Sequence, residues 1–186
     1  MAHGLDLEPS FLAVARQKAE EARLPVTWHR ADLLDLAAVA GSATFQLVTC
    51  LGQTLPHLLE EAQWLSFFRQ ARAVLRPGGC LAIQAVHDAA LPPGHFRELP
   101  PLRIAAGTLE RRRIMVSETL ASFETLFTPV RGVPAASRTS HRRMDPGTAA
   151  GLLRDAGLEP EPPVADEAGR AFEAAAPGWL LIARRV

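Results

Sequence analysis

The feature that most constrains this chain is the alternation of segment types over its first 86 residues. Apolar runs of strand length are separated by longer segments whose apolar residues recur at helical spacing. Residues 1–7 read as a short strand. Pro9 suits a first helical turn, where its missing N–H costs nothing. Phe11, Leu12, Ala15, Ala19 and Ala22 then fall on one helical face. Residues 26–30 alternate apolar and polar, and residues 33–39 have room for one or two helical turns. Residues 45–50 are a second apolar run of strand length. A helical pattern over 58–75 puts Leu65, Phe68, Ala71 and Leu75 on one stripe, and Arg76-Pro77-Gly78-Gly79 stops it. Residues 80–86 read as a buried strand. Strand, helix, strand, helix, strand at this spacing predicts an α/β fold: a mostly parallel sheet with helices on both faces.

The pattern changes after His87. Residues 91–101 carry four prolines and read as loop. Residues 102–129 are β-prone, with Gly107 as a turn, and predict two or three antiparallel strands. Residues 138–143 add one more. Asp145-Pro146 opens a helix as N-cap and first residue, with Leu152, Leu153 and Ala156 facing inward and Gly157 closing it. The proline-rich stretch 158–164 restricts any strand there to an edge. Residues 179–183 form a last apolar strand, giving a C-terminal antiparallel hairpin on the sheet. The expected organisation is one domain over 1–186, with 91–143 inserted as a small β cap on the substrate side.

Composition narrows the function classes. Twenty basic and twenty acidic side chains leave no net charge. There is no basic excess to draw the chain to nucleic acid or to an anionic membrane surface. Lys18 is the single lysine among the twenty basic residues, a bias of source genome more than of function. No run approaches the roughly 18 apolar residues of a membrane span, and the start lacks a signal-peptide pattern. Cys50 and Cys80 form no CxxC pair, and their strand positions place them too far apart for a disulfide. A cytoplasmic location is the expectation.

Four segments, in order, carry a resemblance. Gly4-Leu5-Asp6-Leu7 precedes the helix that begins near Pro9, and Ala31-Asp32-Leu33 follows the next strand. Phe45-Gln46-Leu47-Val48-Thr49-Cys50-Leu51-Gly52-Gln53-Thr54-Leu55-Pro56-His57-Leu58 is third, and Leu75-Arg76-Pro77-Gly78-Gly79 is fourth. Together they resemble the class I S-adenosylmethionine-dependent methyltransferases, in particular the small-molecule N- or O-methyltransferases, from the second strand of that Rossmann-like fold onward. The resemblance covers residues 4–87 well and 138–186 more loosely. It implies S-adenosyl-L-methionine as cofactor and methyl transfer to N or O of a small molecule. It also implies residue roles. Asp6 would accept both ribose hydroxyls, as a carboxylate with two acceptor oxygens can, and Leu7 would lie against the adenine. Asp32 and the backbone of Leu33 would read the adenine edge, and Cys50 and Leu51 would face the methionine part. His57 and His141 are weaker candidates for substrate contact. No catalytic base stands out, and the six histidines show no metal-ligand spacing.

The same resemblance predicts a departure. The family's first strand and its glycine-rich loop would precede Gly4, a unit of roughly 30 residues, and no later GxGxxG replaces them. The chain therefore reads as a truncated methyltransferase-like domain. In the family the first strand lies between the strands ending here at Asp6 and Cys50. Those two strands are expected either to pair directly or to leave open edges, which invite homodimerisation or low solubility. Gln46 stands where an acidic residue is common, and Glu8 replaces a serine cap, predicting a weaker helix start. Arg111-Arg112-Arg113 reads as a solvated strand edge. Two other functions stay open: a degenerate, non-catalytic relative, and a nicotinamide-dependent enzyme. The latter shares the acid at Asp6, but neither Asp32 nor the 45–58 segment fits it, and its fingerprint is absent.

Overall fold

In the computed structural model, residues 2–41, 45–88 and 91–186 are described. The alternation becomes β1 (Ala2–Asp6), α1 (Pro9–Glu21), β2 (Val26–Arg30), a 3-10 turn (Leu33–Asp35), α2 (Leu36–Ala40) and β3 (Phe45–Cys50). A second 3-10 turn (Leu55–His57), α3 (Glu61–Val74) and the long β4 (Leu75–Val86) follow. Then come β5 (Phe96–Ile104), β6 (Gly107–Met115), β7 (Leu120–Pro129), β8 (Ala135–Arg142), α4 (Pro146–Asp155), β9 (Leu158–Pro160) and β10 (Gly178–Arg185).

The strands form three sheets. β1 and β2 pair in parallel, and β3, β4, β10 and β9 form a second sheet in that order. There β3–β4 is parallel, while β10 runs antiparallel to both β4 and β9. The cap is a four-stranded antiparallel meander, β5 to β8 in chain order. Among the described residues β1 and β3 share no ladder, so both keep an edge free of backbone pairing. Their closest association is lateral: the His3 and Phe45 rings meet edge to face at 5.1 Å. Of the two expected outcomes, direct pairing and open edges, the structure takes the second.

The core lies between the second sheet and helices α3 and α4. Trp64, Phe67 and Phe68 of α3 and Leu153 of α4 are fully buried, against Leu81 and Ile83 of β4 and Leu181 of β10. The two buried indoles do not lose a hydrogen bond there. Trp64 Nε1 donates to the Leu58 carbonyl at 2.8 Å, and Trp179 Nε1 donates to the Met144 carbonyl at 3.1 Å. The β1–β2–α1 unit buries far less. On α1 only Leu12 is buried, and Phe11, read as inward-facing, is 66% exposed. A two-stranded sheet offers too narrow an apolar surface to cover more than one row of a helix. Gly4 is required where it is, because a Cβ there would meet the Trp28 ring at 2.2 Å.

Other sequence expectations change in detail. Arg76–Gly79 does not lie outside the strands. It loops out of the β3–β4 ladder, which jumps from Phe45–Leu75 to Leu47–Cys80, and Gly78 supplies a left-handed turn at φ 76°. The cap has four strands, and Pro100-Pro101, assigned to loop, sit in β5 at the register shift between Leu99 and Leu102. That placement suits residues that cannot donate to a ladder. Glu8 serves as a working N-cap of α1, accepting from Ser10 N at 3.1 Å and Ser10 Oγ at 2.9 Å. The arginine run is not an edge: β6 is interior to its sheet. Arg112 pairs with Glu124 on one face, and Arg113, pointing the other way, is buried.

Gln70 of α3 ties the 3-10 turn and α2, the segment that follows β2, to the main core. Its Oε1 accepts from Ala37 N at 3.0 Å, and its Nε2 donates to the Leu34 carbonyl. Replacing it leaves two backbone groups to find water or stay unpaired. Gln70→Ala is expected to lower stability by about 1–3 kcal/mol, read from chemical denaturation. An unchanged denaturation midpoint would show that the joint carries nothing.

Candidate functional site

Ligands of open α/β sheets bind outside the carboxyl ends of the strands, and the sequence-selected cofactor residues stand at the ends of β1, β2 and β3. Asp6 ends β1, with Oδ1 accepting from Glu8 N at 2.8 Å. This turns the chain sharply into α1. Leu7 beside it is 61% exposed. Asp32, just past β2, uses Oδ1 to accept from Leu34 N at 2.8 Å, opening the 3-10 turn. Leu33 is only half-buried and packs on the main core. Each carboxylate therefore spends one oxygen on local geometry and keeps Oδ2 free of a protein hydrogen bond among the described residues.

Cys50 ends β3 and is buried. Burial pushes its thiol up to about 12, so the sulfur is uncharged at neutral pH and is no nucleophile. Leu51 is 44% exposed. The chain then turns through two successive left-handed residues, Gly52 at φ 69° and Gln53 at φ 72°. Glycine tolerates this, whereas at Gln53 it costs of order 1–3 kcal/mol and needs an external hold. Two glutamines supply it. Gln53 Oε1 accepts from Val86 N at 3.1 Å, and Gln84 Oε1 accepts from Gly52 N at 3.2 Å. The turn after β3 is thus tied to the end of β4. Neither glutamine was selected from sequence, since nothing in the pattern marks a side chain that folds back on a neighbouring strand.

His57 and His141 are brought together. His57, exposed on the second 3-10 turn, meets the His141 ring of β8 edge to face at 4.5 Å. His141 is buried and stacks on Phe123 at 5.5 Å. Behind it lies a buried ion pair. Arg113 Nε and Nη2 donate to Asp88 Oδ2 at 2.9 and 2.7 Å, and Arg113 Nη1 donates to His141 Nδ1 at 2.9 Å. A guanidinium only donates, so Nδ1 must accept and the ring proton sits on Nε2. Desolvation, then the charges of His57 and Arg113, pull the His141 imidazolium down to about 4, against the opposing effect of Asp88. A cavity of about 270 Å³ adjoins this network, lined in part by Glu61, His87, Asp88, Arg142, Met144 and Thr148. Asp88 and Arg113 were missed from sequence: Asp88 has no motif around it, and Arg113 was hidden in a charge run. Among the described residues no three histidine, cysteine or carboxylate side chains cluster as a metal site. No described helix is long and apolar enough to cross a membrane.

The model of a family described as "Methyltransferase domain" matches residues 1–79. No match is found among curated proteins. Solved structures match almost the whole chain. An S-adenosylmethionine-dependent methyltransferase from Clostridium acetobutylicum superposes with a TM-score of 0.82 at 14% identity, covering 98% of this chain and 74% of that one. The CcbJ methyltransferase from Streptomyces caelestis gives 0.80 at 22% identity, covering 99% and 74%. CalS10 from Micromonospora echinaspora, an amino pentose methyltransferase involved in calicheamicin biosynthesis and solved with S-adenosylmethionine bound, gives 0.73 at 23% identity, covering 99% and 73%. The fold is thus the Rossmann-like α/β fold of methyltransferases.

The His141 environment has a consequence for stability. Its proton affinity is lower folded than unfolded, so between about pH 6.5 and 4 the unfolded chain binds the extra proton. Stability from this group is full above about 6.5 and is lost as pH falls towards 4, by on the order of 2–3 kcal/mol at most. Asn at 141 keeps an acceptor for Arg113 but cannot titrate. Denaturation measured across this range is expected to show a flatter pH slope in His141→Asn than in the parent. Equal slopes would mean that His141 charges freely in the folded protein.

Proposed function

We propose that this protein transfers a methyl group from S-adenosyl-L-methionine to a nitrogen or oxygen of a small molecule. The observation that supports the reading is that Asp6-Leu7, Asp32-Leu33 and Cys50-Leu51 each stand at or just past the carboxyl end of a strand, β1, β2 and β3. The match of residues 1–79 to a methyltransferase domain supports it. When bound, the cofactor supplies an electrophilic methyl on a sulfonium.

The residues fit such a group in chemistry and exposure. The free Oδ2 of Asp6 suits paired hydroxyls, and that of Asp32 suits an amino group. Leu7 and Leu51 each present exposed apolar surface just past a strand's carboxyl end, the kind of surface an aromatic base covers. A Cβ at Gly52 would meet nothing within 4 Å, so the turn after β3 leaves open space. In this reading the cap, with His57 and His141 at its base, would hold the acceptor. Among the neighbours CalS10 is an amino pentose methyltransferase, which supports a small amine or hydroxyl acceptor here. Methyl transfer is governed largely by alignment of nucleophile and methyl, which the pinned Gly52-Gln53 turn serves.

A second reading, a methyltransferase-like protein without catalysis, draws on the lack of a GxGxxG run in the given sequence and on the edges of β1 and β3 that are unpaired among the described residues. Those edges also support pairing with a second copy, which light scattering would register as a dimer.

Calorimetric titration with S-adenosyl-L-methionine separates the readings. Binding is expected, weakened about tenfold or more in Asp6→Ala and Asp32→Ala, as for a charge-assisted hydrogen bond of about 1.5–3 kcal/mol. No heat with the parent chain would favour the non-catalytic reading, and equal affinity in both variants would move the cofactor site elsewhere.

A further inference from the structure

The buried ion pair does more than the fold needs. Asp88 and Arg113 side chains are 1% and 4% exposed. Replacing such a pair by apolar residues is often neutral or stabilising, so its retention is not explained by stability. What the pair does contribute is a defined state for His141. Arg113 Nη1 donates to Nδ1 and fixes the tautomer, and Phe123 stacks on the ring face and fixes its plane. The ring so fixed abuts His57, which sits exposed on the turn that follows β3 at the carboxyl end.

We propose that Asp88, Arg113 and His141 are positioning residues that hold His57 as the proton acceptor of methyl transfer. This rests on the reading above. As the acceptor's nitrogen or oxygen lone pair bonds to the methyl carbon, the carbon–sulfur pair stays on sulfur and the sulfonium charge is lost. The proton on that nitrogen or oxygen passes to His57, which becomes imidazolium and later returns it to solvent. A second imidazolium at His141 would oppose that step. The relay prevents it, because Arg113 occupies the one nitrogen that could take a proton.

The charged and titratable groups around His57 are few. His141 and Arg142 come from β8, and Arg113 from β6 lies behind His141. Asp88 follows β4, with Arg97 of β5 3.7 Å from its Oδ1. Glu61 of α3 is held by Arg142 Nη2 at 2.6 Å, while Arg142 Nη1 donates to the Leu59 carbonyl at 2.7 Å. Among the described residues Asp88 Oδ1 has no hydrogen-bond partner. The carboxylate is therefore committed to Arg113 through one oxygen.

The test is an imidazole nitrogen spectrum of the full chain, titrated from pH 3.5 to 9. In the parent, His141 is expected as the Nε2–H form throughout the neutral range. Coupling is reciprocal, so removing the exposed partner in His57→Asn, a change that leaves the core alone, should raise the His141 proton affinity at least threefold. Arg113→Gln should raise it further. A His141 that titrates like a free imidazole in the parent, carries its proton on Nδ1, or is indifferent to His57→Asn overturns the relay. A role confined to structure would leave that midpoint unmoved by an exposed substitution.

The acceptor role has its own readout. Carbethoxylation of His57 by diethyl pyrocarbonate, mapped by mass spectrometry, should slow at least fivefold with saturating S-adenosyl-L-methionine. Equal rates with the cofactor bound remove His57 from the site. If the cofactor does not bind at all, the methyl-transfer reading and the acceptor role fall together. The His141 spectra still decide the relay.

Discussion

Two buried side chains, Asp88 and Arg113, hold the cap to the sheet that carries the candidate site. Asp88 stands two residues past the end of β4, and Arg113 stands in the middle of the cap meander. Their ion pair fixes where the cap sits over the carboxyl ends of the strands. Arg143 reinforces it, donating to the Ser117, Asp88 and Leu91 carbonyls. So does Arg142 through Leu59 and Glu61. Except for the bond to Ser117, which stays within the cap, each bridge joins the cap or its exit to the segments leaving β3 and β4.

That arrangement divides the labour between two kinds of element. The main core, built on α3, α4, β4 and β10, supplies rigidity and contributes little chemistry. The side chains of the candidate site occupy loops and strand ends just outside it: Asp6, Asp32, the Gly52-Gln53 turn, His57 and Asp88. Asp6, Asp32 and Gln53 are set by backbone groups they bond themselves, Glu8 N, Leu34 N and Val86 N. A rigid scaffold with functional groups at its rim is the usual solution for α/β sheets.

Much of the fold was legible because periodicity survives in a single sequence. The strands at β1, β2 and β3 and the helices α1, α3 and α4 follow from spacing alone, and Asp145-Pro146 marked the start of α4. What spacing cannot show is which neighbour a side chain meets. Phe11 fits the apolar face of α1, yet the two strands beneath leave it uncovered. Arg113 belongs to a charge run whose ordinary fate is solvation, but its strand lies inside a sheet, and alternation turned this one inward. The Arg76–Gly79 loop-out and the prolines of β5 depended on register, which only the partner strand defines. The site divides the same way: the acidic residues at strand ends were readable, while the Asp88–Arg113–His141 chain joins positions 25 and 28 residues apart and left no local trace.

The separation of β1–β2 from the remaining sheet has a thermodynamic consequence. Two-stranded sheets are marginal on their own, and this one meets β3 through side-chain contacts such as His3 on Phe45. Part of the candidate site, Asp6 to Asp32, rides on that unit, and the other part, Cys50 to His57, rides on the main core. A small molecule that contacts both parts would act as a clamp between them. Part of its binding free energy would then appear as reduced local opening of residues 2–30, so that amide exchange there becomes a measure of occupancy. In such a protein the ligand supplies cohesion that the backbone ladder does not.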